Sequence, residues 1–155
     1  MAAVRWLDER EEGAWRALMA SQNGMAEYLE RRFRRYGLSR ADYEVLAHLS
    51  ETPAGHLRSY ELGALLGWEK SRLSQHLGRM QSRGLVARER CPTDQRGAVV
   101  SITPSGTELI EAAAPQHVAD VRDVLIDHLT PAELDTLTTI ATKIRARLGD
   151  LDQIT

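Results

Sequence analysis

The sequence predicts a mainly α-helical fold that carries one small antiparallel β-hairpin. Apolar residues recur at helical spacing over most of the 155 residues, and Gly, Pro and Ser residues divide this pattern into six segments. One stretch, residues 85–103, instead combines two short β-compatible runs with the turn-forming sequence CPTDQRG. These observations favour six helices with a hairpin between the fourth and the fifth.

Size and composition limit the class of protein. A chain of 155 residues is expected to form one structural unit, and no apolar run approaches the roughly 20 residues of a membrane-spanning helix. The N-terminus lacks the pattern of a secretory signal, so we expect a cytoplasmic protein without a membrane partner. A single cysteine, Cys91, and five histidines without a close pair predict no disulfide framework, no metal site and no cofactor.

The net charge of −2 conceals a polarised chain. Residues 68–97 hold seven Lys or Arg against three acidic residues, whereas residues 1–30 and 98–155 are net acidic. The basic middle keeps nucleic acid among the expected partners, although the overall charge alone argues against it.

Two helices are predicted in the first third of the chain. Helical spacing from about Glu11 to Tyr36 ends at Gly37, which predicts a long first helix. Ser39 and Asp42 have the spacing of a capping box, so a second helix is expected to begin there and to end before Pro53.

The next two helices are short and close together. A third helix is predicted from Ser59, a suitable N-cap, to Gly67. A fourth is predicted from about Lys70 to Arg83, with Gly84 as its terminator. Two short helices around a tight turn are typical of a helix-turn-helix.

A hairpin and two helices complete the prediction. The runs from Leu85 to Arg90 and from Ala98 to Thr103 predict the two strands, the candidate wing. A fifth helix is expected from Thr103-Pro104, kinked or restarted at Pro115. A sixth begins with a capping box at Thr130 to Glu133. The prediction is therefore a winged helix-turn-helix framed by helices.

The fourth helix has the two faces that groove binding requires. Leu73, Leu77 and Met80 share the side that the core would hold. Polar and cationic side chains lie opposite or beside it: Ser71, Arg72, Ser74, Gln75 and Arg79. Since Arg can pair with guanine and Gln with adenine, the residues near the helix start favour base contacts, and Arg79 favours a phosphate.

The alternative for a lone amphipathic helix is an ordinary solvated face. The hairpin directly after this helix favours DNA, because Arg96 at its tip could enter the minor groove while Asp94 orients it or braces the turn. The arginines at positions 31, 32, 34 and 35 favour a solvated helix end and are left out of the site.

These residues resemble the MarR family of regulators. The resemblance rests on Ser71-Arg72-Leu73, on the spacing from Leu77 to Gly84-Leu85-Val86, on Asp94-Gln95-Arg96-Gly97, and on the exit from Ile102 to Gly106. A departure is Trp68-Glu69, where many relatives have a small or aliphatic residue followed by a Ser or Asp cap.

The resemblance implies a six-helix protomer in a two-fold homodimer, bound to double-stranded DNA at a near-palindromic operator. Residues 1–155 would form one unit, in which residues 39–103 are the DNA-binding lobe and residues 1–36 and 104–155 are dimerisation helices. The function expected is a transcription regulator, a repressor that a small effector releases from its operator.

The resemblance also implies a small aromatic or anionic effector, without naming it. Five residues are candidates to line its pocket, although aromatic and Met residues at this spacing are more often core: Trp15, Met19, Tyr28, Tyr36 and His48. Cys91 leaves open a thiol-based redox response, since Arg88 and Arg90 could lower the pKa of its thiol, but a bystander is favoured.

Two other classes of protein are the alternatives. An enzyme is disfavoured because the sequence lacks GxSxG, GxxxxGK, HExxH or a comparable constellation. A helical protein-interaction module that does not bind DNA is harder to exclude, since helix-turn-helix folds can be reused.

Overall fold

The computed structural model describes residues 4–89 and 98–152. These residues form α1 (Glu9–Phe33), α2 (Arg40–Glu51), β1 (His56–Arg58), α3 (Ser59–Leu66), α4 (Lys70–Ser82), β2 (Val86–Glu89), β3 (Val99–Ile102), α5 (Pro104–Val124) and α6 (Pro131–Asp152). Short 3₁₀ turns, Arg34–Tyr36 and Ile126–His128, follow α1 and α5. The predicted fold, mainly helical with a small antiparallel hairpin, is confirmed.

The chain divides into two compact units at His117. The first contains α1 to α4, the three strands and most of α5, and the second contains the end of α5 and all of α6. The assignment of residues 39–103 to a DNA-binding lobe and of the end helices to dimerisation stays a prediction.

Capping boxes begin helices α2 and α6. At α2, the Asp42 amide donates to Ser39 Oγ over 3.0 Å and the Ser39 amide donates to Asp42 Oδ2 over 2.9 Å. The predicted capping box is therefore present. At α6, the Thr130 amide donates to Glu133 Oε2 over 2.8 Å, as its sequence also predicts.

The sheet contains a strand that the sequence does not reveal. β2 and β3 form the predicted hairpin, and β1 adds to the other edge of β3 in the order β1-β3-β2. All pairs are antiparallel, with Leu57 opposite Val100 and Arg88 opposite the same residue. Three residues are too few for an alternating pattern, so β1 depends on its distant partner and was not predicted.

The pairing of β1 also changes the role of Ser59. We expected its hydroxyl to cap α3, but Ser59 is the first residue of that helix and Arg58 precedes it. The amide and the hydroxyl of Ser59 both donate to the carbonyl of Ala98, each over 2.9 Å. The predicted cap is wrong because the sheet brings this carbonyl next to Ser59.

One core joins α1 to α5 with the sheet in the first unit. Its fully buried side chains come from α2, α3, α4 and two strands, and include Val45, Leu46, Leu49, Leu62, Leu77, Met80, Val86 and Val100. At the edge of this core, the Phe33 ring stacks on the Tyr43 ring with centroids 4.4 Å apart, and the His117 ring centroid lies 4.6 Å from that of Tyr43 and 5.0 Å from that of Phe33. These rings connect the end of α1 to α2 and α5.

The junction between the sheet and α5 is tightly packed. Thr103 Oγ1 donates to the Gly84 carbonyl over 2.6 Å and accepts from the Gly106 amide over 3.0 Å, so it caps α5 and ties it to the end of α4. A Cβ at Gly106 would lie 2.2 Å from the Leu85 carbonyl oxygen. Only glycine fits there without displacing the backbone.

In the described residues, α5 is one helix from Pro104 to Val124 with Pro115 inside it. The second unit then turns at Leu129 into α6. None of the helices among residues 4–89 and 98–152 is both long enough and apolar enough to cross a membrane.

Candidate nucleic-acid interface

α4 separates an apolar face from a polar one. Leu73, Leu77 and Met80 are buried in the core, at 4 % exposure or less. The five side chains of α4 that are predicted to contact DNA are all exposed: Ser71, Arg72, Ser74, Gln75 and Arg79. The two faces are arranged as a helix needs for insertion into a major groove, and the contacts themselves stay predictions.

The turn before α4 places an aromatic ring beside the first of these arginines. Gly67 has φ +64°, a left-handed conformation that glycine adopts without strain, and it redirects the chain into α4. The ring centroid of the next residue, Trp68, lies 4.3 Å from Arg72 Cζ. This distance is that of a cation–π contact.

His76 connects the polar face of α4 to the interior. Its ring meets the Trp68 indole edge-on, with centroids 5.2 Å apart at 87°. Its Nδ1 lies 3.2 Å from Arg79 Nη2, and its Nε2 lies 3.0 Å from Asp42 Oδ1. His76 therefore lies between Arg79 on the polar face and Asp42 in the interior.

Asp42 anchors both α4 and the residue that follows it. Besides His76, it accepts from Arg83 Nη1 at 2.7 Å, and Arg83 also donates to the Gly37 carbonyl. Burial alone would raise the pKa of Asp42, but the hydrogen bonds from His76, Arg83 and the Ser39 amide outweigh it and hold the pKa well below its usual range. The carboxylate is therefore ionised at neutral pH.

Four residues near this face were not predicted as part of the site: Trp68, His76, Asp42 and Arg83. Trp68, Arg72 and His76 are spaced at i, i+4 and i+8, so helical periodicity could have indicated their contact. Asp42 and Arg83 are 41 positions apart, and nothing local in the sequence indicates that they pair.

The wing is partly described. β2 and β3 lead into it, and Arg88 of β2 places Nη1 3.5 Å from the Ser74 carbonyl of α4. Asp94, Arg96 and Cys91 lie outside the described residues, so their predicted roles stay predictions.

The arginines at the end of α1 have partners one helical turn earlier. Arg31 lies 4.0 Å from Glu27, and Arg34 lies 3.6 Å from Glu30. Arg32 Cζ lies 5.7 Å from the Tyr28 ring centroid. These local contacts fit the interpretation of this run as a solvated helix end.

The five residues proposed for an effector pocket are dispersed. Trp15 is exposed, whereas Met19, Tyr28, Tyr36 and His48 are half-buried, and Tyr36 packs against the core. Trp15 and Tyr28 are both on α1, 13 positions apart, which corresponds to about 20 Å along a helix. The chain by itself does not bring the five together around a single small molecule, and the pocket stays a prediction.

Comparison with known proteins gives consistent matches. A sequence profile described as the MarR family matches residues 36–97. The solved structure of AbsC, a MarR family transcriptional regulator from Streptomyces coelicolor, is 36% identical, with a TM-score of 0.90, over 95% of this chain and 99% of that chain. The structure of Sco3205, a MarR family transcriptional regulator from the same organism solved in complex with DNA, is 33% identical, with a TM-score of 0.87, over 92% of this chain and 90% of that chain.

A curated relative matches over a shorter stretch. The multiple antibiotic resistance protein MarR of Salmonella typhimurium is 31% identical over 91 residues, which are 59% of this chain. The match spans 63% of the length of that relative.

Proposed function

This chain belongs to the MarR family, and from that premise we propose that it is a transcription regulator that binds double-stranded DNA. α4 would enter the major groove, and the wing would contact the neighbouring backbone or minor groove. The similarity to Sco3205, whose structure contains DNA, supports this proposal.

The two faces of α4 carry this proposal. The apolar face is held by the core and by the Asp42 contacts, so the polar face has a fixed orientation toward solvent. That face offers Arg72 and Gln75 near the helix start, where side chains reach base edges, and Arg79 one turn later, where a phosphate contact fits.

We also propose a two-fold homodimer as the binding unit. α6 exposes large apolar side chains at Leu137, Ile140, Ile144, Leu148 and Leu151, and the N-terminal part of the chain exposes Trp6, Leu7 and Trp15. Apolar stripes of this kind are usually covered by a partner, and a second copy supplies the same stripe. Two copies of α4 would then bind half-sites about one helical turn apart.

Repression, and release by a small aromatic or anionic effector, are the remaining parts of the proposal. They are supported by family membership, and the effector would contact residues among Trp15, Met19, Tyr28, Tyr36 and His48.

Selection of duplexes from a random library by the pure protein tests DNA binding. We expect an enriched site with two-fold symmetry. Gln75→Ala should relax base preference at one position of each half-site, because an amide–adenine contact is lost. If no duplex is enriched over random sequence, the chain is a protein-interaction module rather than a DNA-binding regulator.

Salt dependence tests the phosphate contacts. Arg79→Ala and Arg96→Ala should each reduce the slope of log affinity against log salt by about 0.9 per contact, hence about two per dimer. Arg31→Ala is the matched control, since Arg31 pairs with Glu27 on α1, and its slope should equal that of the wild type.

A further inference from the structure

We propose that Trp68 is a positioning residue that holds Arg72 for contact with a guanine in the major groove. The inference rests on the proposed DNA binding and adds the base that Arg72 recognises and the residue that prepares it. The observation behind it is the contact in which the Trp68 ring centroid lies 4.3 Å from Arg72 Cζ.

The ring of Trp68 is itself held on several sides. The backbone amide of Trp68 donates to the Gly63 carbonyl over 3.0 Å, and the Trp68 side chain is half-buried against the core. The His76 ring packs edge-on against the indole, and His76 is 8 % exposed with Asp42 3.0 Å from its Nε2. Trp68 is therefore a fixed surface and not a freely rotating side chain.

Arg72 and Arg79 differ in what holds them. Arg79 donates to His76 Nδ1, so one of its N–H groups is already used. Among the described residues, the guanidinium of Arg72 has neither a hydrogen-bond nor an ion-pair partner, and its contact with Trp68 involves the ring face. The donors of Arg72 thus remain available for an acceptor outside the chain.

Guanine is the acceptor that this arrangement fits. Its O6 and N7 form the pair of acceptors in the major groove that a guanidinium contacts in bidentate fashion. An exposed Arg otherwise samples many rotamers and loses that freedom on binding. Because the Trp68 ring already restricts Arg72, the bidentate contact costs less conformational entropy when it forms.

A double-mutant cycle tests this inference on the full-length protein. The variants are Trp68→Leu, Arg72→Ala and the double substitution, with Trp68→Phe as a partial restoration of the aromatic face. Dissociation constants are measured on the duplex that the wild type selects and on duplexes with each G·C pair of the half-site replaced. Circular dichroism and thermal unfolding confirm that each variant is folded.

Specific results are expected. Arg72→Ala should remove the preference for one G·C pair in each half-site. Trp68→Leu should weaken binding about three- to tenfold per protomer and reduce the same preference, as expected for one side chain that must now be ordered on binding. In the Arg72→Ala background, Trp68→Leu should cost nothing further, and Trp68→Phe should fall between the wild type and Trp68→Leu.

Two outcomes would overturn the inference while leaving DNA binding intact. One is an equal loss of affinity from Trp68→Leu with and without Arg72, which would give Trp68 a purely structural role. The other is an Arg72→Ala variant that keeps the wild-type preference at every G·C pair of the half-site. If the wild type selects no duplex at all, the proposed function fails as well, so the two failures are distinguishable.

Nuclear magnetic resonance of the free protein supplies a readout that does not need DNA or a stable Trp68→Leu variant. An Arg side chain over an indole has its δ and ε protons shifted upfield by the ring current. Wild-type Arg72 should show this shift, and Trp68→Phe should reduce it. Signals at the positions of an unstacked arginine in the wild type would contradict the positioning role.

Discussion

At the scale of single residues, Asp42 shows how one buried carboxylate can hold a helix in place while the polar face of that helix stays exposed. It begins α2 through the capping box with Ser39, and it contacts His76 within α4 and Arg83 just after it. Its side chain is 4 % exposed, so the hydrogen bonds replace the water it loses on folding. The orientation of α4 therefore depends on a residue of another helix.

We predict that Asp42→Asn destabilises the protein by about 2–4 kcal/mol, because Arg83 and His76 lose a charged partner at a buried position. Chemical denaturation at pH 7 measures the change. Glu44→Gln is the matched control on the same helix: Glu44 lies 3.6 Å from Arg40 in an exposed pair, and its loss should cost less than about 0.5 kcal/mol. Equal effects of the two substitutions would contradict the assigned role of Asp42.

The same carboxylate predicts an acid-dependent loss of stability. The pKa of Asp42 in the folded protein lies below its ordinary value of 3.8, so the folded state favours the ionised form. The stabilisation is present above about pH 4 and is lost as the pH falls further and the carboxylate protonates.

Denaturation curves of the wild type and Asp42→Asn between pH 2 and pH 7 measure this effect. The difference in unfolding free energy between them should be constant above about pH 5 and should decrease below pH 4. A difference that is constant over the whole range would show that the charge of Asp42 contributes no pH-dependent stability.

At the scale of elements, the exit from the hairpin determines where α5 can pack. Thr103 caps α5 and reaches the Gly84 carbonyl, and Gly106 lets the first turn of α5 approach the Leu85 backbone. The chain before and after the hairpin is therefore joined at its base. The position of β2 and β3 relative to α4 depends on this junction.

We predict that Gly106→Ala destabilises the protein by about 1–3 kcal/mol or more, since the added methyl group would overlap a backbone oxygen. Thermal unfolding monitored by circular dichroism measures the change. Gly24→Ala, within α1 and with nothing within 4 Å of an added Cβ, should instead stabilise by about 0.5–1 kcal/mol. A neutral Gly106→Ala would mean that α5 can move away from Leu85 without cost.

At the scale of the whole molecule, the exposed apolar stripe of α6 is the feature that supports the proposed homodimer. Five large side chains, from Leu137 to Leu151, are each 39–55 % exposed. At 100° per residue they fall within about 80° of one another around the helix. Such a stripe is typical of a helix that packs against another helix, as the proposed homodimer requires.

We predict that Ile144→Asp weakens the proposed homodimer by about 100-fold or more, because that dimer would bury an unpaired carboxylate in each protomer. Sedimentation velocity over a range of concentrations measures the dissociation. Ala146→Asp introduces the same charge about 160° around the helix from Ile144 and should leave the dimer intact. Dimers of equal stability in both variants would place the interface elsewhere.

Local spacing was sufficient to predict much of the fold and the exposure of several candidate site residues. The starts of α2 and α6 follow from capping boxes, and the buried face of α4 follows from Leu73, Leu77 and Met80. These features depend on residues three to seven positions apart, whose geometry a helix dictates. The same spacing predicts the exposure of Arg72, Gln75 and Arg79.

Contacts between distant segments were decided only by the tertiary structure. β1 forms because His56–Arg58 meets β3, and that pairing also removes Ser59 from its predicted cap. The placement of Asp42 against His76 and Arg83 likewise requires the packed core. The sequence by itself thus determined the polar face of α4, because helical periodicity is local. What holds that face in position was decided by the fold, because the carboxylate that anchors α4 lies more than 30 residues away in the chain.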